Sequence, residues 1–201
     1  VILLTGFVYF DAMDGPFQYD DHHSIVDNAN IRSLQNALLS SWSPQSFSDD
    51  PRSAMYRPLV LISYALNYTL HEYETTGYHL LNLAIHALNS CLPFLLIRHL
   101  GGSLVSALVA SALFALHPVN GEVVTYISSR SESLCATFYI LAFLFFQTSD
   151  PQRTGFCRWR LLGVVSFALA LMSKSVAITL PALLVVFELL RNRTGSISSR
   201  A

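Results

Sequence analysis

The sequence predicts an all-α fold, a polytopic bundle of membrane helices with amphipathic surface helices in its first outer loop. Three observations carry that prediction. Of 201 residues 52% are hydrophobic and 12% charged, and the mean hydropathy of +0.44 lies outside the range of soluble globular domains. The apolar runs 80–97, 104–116, 134–146, 161–172 and 176–190 hold almost no charge. Between them lie short segments packed with Asp, Glu, His and Arg, so the chemistry belongs between the spans.

Taken in order, the expected spans cover about 1–10, 78–98, 104–117, 133–147, 161–173 and 175–190. The apolar opening has no basic flank and no small-residue cleavage site, so it reads as the tail of a span and not as a signal-peptide core. On that reading Val1 is not the native start. Several later spans fall below the roughly 20 residues of a perpendicular helix, and such helices depend on neighbours or interfacial extensions.

Lys and Arg collect on the cytoplasmic side of membrane proteins, which orients the chain. With the first span exiting outward near Asp11 and alternation thereafter, the inner segments hold Arg98, Arg153, Arg158, Arg160, Arg191, Arg193 and Arg200. Eleven of the thirteen acids fall outside, leaving only Asp150 and Glu188 within. The net charge of −1 conceals this separation, and no nucleic-acid partner is expected. Residues 161–190 fit it only as two short helices meeting at Ser173-Lys174-Ser175. One long span would place Lys174 at its centre, at a cost of about 3 kcal/mol.

The first outer loop, about 11–76, carries two helices of its own. Asp27 or Asn28 can cap one across 30–41, where Ile31, Leu34, Leu38 and Leu39 recur near helical spacing. A second starts after Pro58 and runs through Leu59, Ile62, Leu66 and Leu70. Both are expected to lie along the outer membrane surface, joined by an irregular 41–56 loop. Cys91, Cys135 and Cys157 show neither metal-ligand spacing nor a disulfide framework. The chain, 1–201, is one domain or part of one.

Five polar groups remain. Tyr19-Asp20-Asp21-His22-His23 could supply a general base, bind a divalent metal, hold a cationic substrate, or form a solvated loop. Arg57, after Tyr56 and before Pro58, can clamp a phosphate or snorkel to lipid head groups. His79, Asn82, His86 and Asn89 share one helical stripe, which serves either as interhelical glue or in catalysis. His117-Pro118 ends a span, with Glu122 and then Arg130-Ser131-Glu132 beyond it; an Arg130–Glu132 or Arg130–Glu122 ion pair is the plain structural alternative. Lys174 sits at the helix break.

The order Tyr19-Asp20-Asp21-His22, Tyr56-Arg57-Pro58-Leu59, Gly77-Tyr78-His79-Leu80 with Asn82 and His86, His117-Pro118-Val119 with Glu122, Ser129-Arg130-Ser131-Glu132 and Ser173-Lys174 resembles one known family. It is similar to the membrane half of the transmembrane and tetratricopeptide-repeat-containing O-mannosyltransferases and their bacterial relatives, in the GT-C superfamily. The resemblance spans about 17–190. Two departures stand out: no tetratricopeptide repeat occurs in these residues, and Ser128-Ser129 stands where animal members tend to have a glycine.

The resemblance implies a glycosyltransferase moving a sugar, mannose by family, from a polyprenyl-phosphate carrier to a Ser or Thr hydroxyl of a protein acceptor. Asp20 or Asp21 would be the base, and Arg57, Arg130 or Lys174 would face the donor phosphate. His22, His79, Asn82, His86, His117, Glu122 and Glu132 would orient groups around a polar cavity. Adjacent carboxylates permit a divalent metal without requiring one, and no cofactor is assigned. The implied location is the bilayer of a bacterial inner membrane or the endoplasmic reticulum, with the site facing periplasm or lumen. A transporter or scaffold is the rival class, and a transferase acting on lipid or glycan the rival substrate. The transporter predicts functional polar residues at mid-bilayer depth; the transferase predicts them at the outer interface.

Overall fold

The computed structural model describes residues 1–148 and 158–198, with side chains described as far as Arg191. Asp150, Arg153, Cys157 and Arg200 lie outside the described residues, as does the side chain of Arg193. Among the described residues the architecture is all-helical. Two helices are long and apolar enough to cross a membrane, Thr75–His99 and Ile127–Thr148. A third crossing exists if Leu104–Leu116 and Pro118–Thr125, bent by 55° at Pro118, count as one. The other expected spans contain helices too short to cross alone or, in the last case, not apolar enough along their length: α1 (Ile2–Val8), α8 (Arg158–Leu171) and α9 (Leu180–Ser198).

The central helix is α4 (Thr75–His99), about 37 Å long at 1.5 Å per residue. It stops because Gly101 takes φ +83° and the Gly102 and Gly101 amides return to the Ile97 and Arg98 carbonyls, a glycine C-cap. Helix α5 (Leu104–Leu116), capped by the Ser103 side chain, runs back along α4. Its small residues Ala107, Ser111 and Ala115 recur every four positions and are buried there, with the Ser111 hydroxyl bonded to the Ser90 carbonyl. Leu104, Val105, Leu108, Val109 and Leu113 are left exposed on the opposite face. After the short α6 (Glu122–Thr125), α7 (Arg130–Thr148) runs parallel to α4, as the bonds of Asn82 to Ile127 and of Asn89 to Ser133 show.

The chain turns back between α8 and α9, as expected at Lys174. Contacts down α7 run in the same order along the segment from Thr179 into α9: the Tyr139 hydroxyl meets Thr179 at 3.1 Å, Phe143 packs edge-on against Phe187, and Gln147 accepts from Arg191. Trp159, at the start of α8, stacks on Phe145. Arg158 and Arg191 therefore sit at one end of the bundle, with Arg98. Asp20, Arg57, Glu122 and Lys174 sit at the other.

The first loop differs from expectation in two places. Its 30–41 segment is two pieces, a turn at Ala29–Arg32 and α2 (Leu34–Ser40), because Ser33 is extended (φ −141°, ψ 131°). Asn28 is the cap, and it does more: fully buried, it donates to the Ser24, Ser46 and Phe47 carbonyls and accepts from Asn30. In α3 (Pro58–His71) the leucine stripe is not the face that meets the protein. Val60, Leu61, Tyr64 and Ala65 pack with Ile25, Ile31, Phe47, Tyr78 and Ile127, while Leu66 and Leu70 are 45% and 66% exposed. The helix is apolar on both sides, and burial by the loop takes the Tyr64 side, leaving Leu66 and Leu70 exposed.

At the α3–α4 elbow Glu72 takes φ +49°, Asn67 donates to the Gly77 carbonyl, and the Tyr78 hydroxyl donates to the Glu72 carbonyl. A Cβ on Gly77 would lie 2.3 Å from the His71 ring. Gly77→Ala is expected to destabilise the protein by about 1–3 kcal/mol through overpacking, seen as a lower midpoint in thermal unfolding of the purified protein. The sequon Asn67-Tyr68-Thr69 is unusable, since Asn67 is 3% exposed and its amide is bonded; Asn67→Gln should leave electrophoretic mobility unchanged.

Candidate active site

The starts of α3 and α7, α6 and the segment between α6 and α7, the α8–α9 break and the first loop enclose a polar cavity of about 220 Å³. Asp20, His23, Arg57, Glu122, Glu132 and Lys174 line it, with hydroxyls from Tyr126, Ser128 and Ser131. A roomier cavity of about 500 Å³ lies at the opposite end, between His99, Gln147 and Arg191, away from this cluster.

The two adjacent aspartates have opposite environments. Asp21 is 1% exposed and fully engaged, accepting from the Gln18 amide at 2.9 Å and from the Ser128 amide at 2.8 Å and hydroxyl at 2.5 Å. It pins the first loop to the segment before α7. Asp20 turns the other way, because Tyr19 before it takes φ +41° and a turn of wide helix, His22–Val26, follows. Its side chain is 61% exposed and lies 3.5 Å from His23 Nε2.

Burial pushes the Asp21 carboxyl above its ordinary 3.8, although the hydrogen bonds from Ser128 and Gln18 pull the other way. A carboxyl raised in the fold binds its proton more tightly folded than unfolded. Its contribution to stability is thus complete below about pH 3.8 and is lost as pH rises through the raised value. Asp21→Asn should flatten the fall in unfolding temperature across that window, measured by thermal melts from pH 3.5 upward.

The cations divide as well. Arg57 has no carboxylate within ion-pair distance among the described residues; its guanidinium donates to Ser131 Oγ at 3.3 Å and rests 5.3 Å from the Phe47 ring centre. Lys174 Nζ pairs with Glu132 at 2.6 Å. The Leu59 amide, bonded to the Met172 carbonyl, ties the start of α3 to this break. Arg130 does not line the cavity. It is fully buried, donating to Asn82 Oδ1 at 2.7 Å, the Ser63 carbonyl and the Tyr78 carbonyl, with its guanidinium centre 5.0 Å from the Tyr64 ring and 5.7 Å from that of Tyr78. Neither of the ion pairs considered for Arg130 forms; Glu132 takes Lys174, and Glu122 stands exposed on the cavity wall.

The polar stripe of α4 is spent on neighbours. His79 meets the Val124 and Gly15 carbonyls, each at 3.0 Å, and Asn82 bridges Arg130 and Ile127. His86 meets the Ala115 carbonyl, and Asn89 joins Ser133 and Thr137. His22 is exposed outside the cavity, and His117 caps the Pro118–Gly121 turn beside an apolar groove on α5. His23, Ser128 and Ser131, which stand in the motifs quoted above without a role of their own, also line the site, as does Tyr126, which no motif contains. Only His23 gave a signal, standing one helical turn after Asp20. Among the described residues no three His, Cys, Asp or Glu side chains converge as metal ligands.

Residues 54–198 match the family model described as dolichyl-phosphate-mannose-protein mannosyltransferase. Arg57, Glu122, Glu132 and Lys174 fall inside that match, and Asp20 precedes it. The chain is 31% identical over 196 residues to Protein O-mannosyl-transferase TMTC3 of Homo sapiens, covering 94% of this chain and 21% of that protein. It is 32% identical over 181 residues to Protein O-mannosyl-transferase Tmtc1 of Drosophila melanogaster, covering 88% and 21%. With Protein O-mannosyl-transferase TMTC4 of Mus musculus identity is 30% over 215 residues, covering 94% and 29%. The chain thus spans between a fifth and a third of the length of these curated relatives. No solved structure matches it.

Proposed function

Because the chain belongs to the dolichyl-phosphate-mannose-protein mannosyltransferase family, we propose that it forms the catalytic membrane module of a protein O-mannosyltransferase. The reaction moves mannose from a polyprenyl-phosphate carrier to a Ser or Thr hydroxyl of a protein. The observation that carries the reading is the exposed carboxylate of Asp20 sharing a small cavity with Arg57, which has no acidic partner among the described residues, and with the Lys174–Glu132 pair.

Asp20 is the base in this reading, and Asp21 is its anchor. The Asp20 carboxylate takes the proton of the acceptor hydroxyl, whose oxygen forms a bond to the anomeric carbon as the bond from that carbon to the phosphate oxygen breaks. The electron pair leaves with the phosphate, and one displacement inverts the carbon. Charge grows on the departing phosphate, where the preorganised Arg57 guanidinium and the Lys174 ammonium, steadied by Glu132, are worth most. Glu122, also lining the cavity, orients the sugar or the acceptor. Arg130, consumed by neutral acceptors, braces α3, α4 and α7.

The donor's lipid tail lies along the exposed leucines of the bundle, which accounts for an integral membrane enzyme. The acidic end faces lumen or periplasm, since Arg98, Arg158 and Arg191 gather at the other. A transporter reading requires a polar path through the bundle, and the His79-to-Asn89 stripe that would form one is filled by interhelical hydrogen bonds. The test is transfer of radiolabelled mannose from its polyprenyl phosphate by the full-length protein in membranes. Arg57→Ala is expected to raise the donor KM and lower kcat, for a combined loss of about a hundredfold; transfer at the wild-type rate would remove Arg57 from the site.

A further inference from the structure

Proceeding from Asp20 as general base, we propose that His23, set in place by Ser48, is the positioning residue that aims the Asp20 carboxylate at the acceptor hydroxyl. The main chain of Asp20 is clamped on both sides. Its amide donates to the Tyr126 hydroxyl at 3.1 Å, and its carbonyl accepts from Ser24 Oγ at 2.6 Å. The carboxylate enjoys no such restraint: it projects into the cavity, and the one described side chain within ion-pair distance is His23, with Nε2 3.5 Å from Oδ1. A base free to swing about two side-chain torsions spends most of its time away from a productive approach.

The far edge of the imidazole is held by a built support. His23 Nδ1 lies 2.9 Å from Ser48 Oγ, and Ser48 is 5% exposed. That hydroxyl accepts from the Asp50 amide at 3.0 Å, which leaves its own proton to donate to Nδ1. The ring proton then resides on Nε2, directed at Asp20. The two segments are also joined through the backbone, the Asp49 amide donating to the His23 carbonyl at 2.9 Å. With Nε2–H on Oδ1, Asp20 keeps Oδ2 for the acceptor proton. During transfer the proton passes from hydroxyl to Oδ2, and His23 neither gains nor loses one. A 3.5 Å separation without substrate fits contacts that tighten in the reactive complex.

The experiment measures kcat and donor KM for full-length protein in membranes, with radiolabelled polyprenyl-phosphate mannose and a Ser/Thr-rich acceptor peptide. The variants are His23→Leu, His23→Gln, Ser48→Ala and Asp20→Asn. His23→Leu is expected to lower kcat about ten- to a hundredfold with donor KM within about twofold, the signature of lost alignment. His23→Gln, whose amide N–H still reaches Oδ1, should recover most of that loss. Ser48→Ala should cost less alone and nothing further in the His23→Leu background.

An inactive Asp20→Asn beside a His23→Leu at the wild-type rate overturns the positioning role alone. So does a His23→Leu defect confined to KM, or one that Gln fails to recover. Transfer by Asp20→Asn at the wild-type rate, or none by the wild type, overturns the base assignment and this inference with it.

Discussion

Asp20→Asn is expected to reduce mannosyl transfer by about 10²–10⁴-fold, the range for removing a general base, while the protein accumulates and unfolds like the wild type. The expectation rests on the contrast with Asp21. Asp20 contributes its carboxylate to an open cavity and to a single long contact, so losing the charge leaves no buried group without a partner. Asp21 holds the Gln18 and Ser128 amides from inside the protein. Asp21→Ala strands both donors, at about 1–3 kcal/mol each. Its transfer defect should therefore track folded protein, and activity per folded molecule should exceed that of Asp20→Asn. Membrane transfer assays normalised to the folded fraction, determined by protease resistance, separate the two. Equal specific losses would show that the aspartates act as a chemical pair.

Arg130→Ala carries the second large expected effect, and it falls on stability. The guanidinium is fully buried and supplies donors to Asn82, Ser63 and Tyr78, so it joins α3, α4 and α7 at one point. Truncation strands those neutral acceptors, at about 1–3 kcal/mol each, and opens a void beside two tyrosine rings, for a loss of about 3–5 kcal/mol. Arg130→Lys should recover only part of this, since an ammonium cannot reproduce a planar fork reaching three partners. Thermal unfolding of purified protein checks both. If Arg130→Lys instead kept full stability and lost donor affinity, the residue would belong to the phosphate site.

Much of this organisation was legible in the sequence because it depends on local regularities. Apolar runs and the gaps between them located the helices. Pro58 marked the start of α3, and the Arg clusters flanking 161–190 required a reversal near Lys174. The acidic turn, Arg57 and Lys174 stood out as polar groups at the ends of apolar segments. The face of α3 was not legible: a helix apolar on both sides gives no contrast, and only packing of Ile25, Ile31 and Phe47 against Tyr64 chooses one.

The sequence by itself determined an all-α membrane module, with its acids gathered at one end, its helix break at Lys174 and the residues from which a transferase site can be made. Periodicity, charge placement and helix breakers act within a few residues and survive in a linear chain. Tertiary structure decided which neighbours each of those residues meets. Asp21 became the anchor through Ser128, 107 positions away, and Arg130 became a brace through Asn82, 48 positions away. Those outcomes turn on which neighbour reaches each charge first once it leaves water, and that neighbour is supplied by the fold.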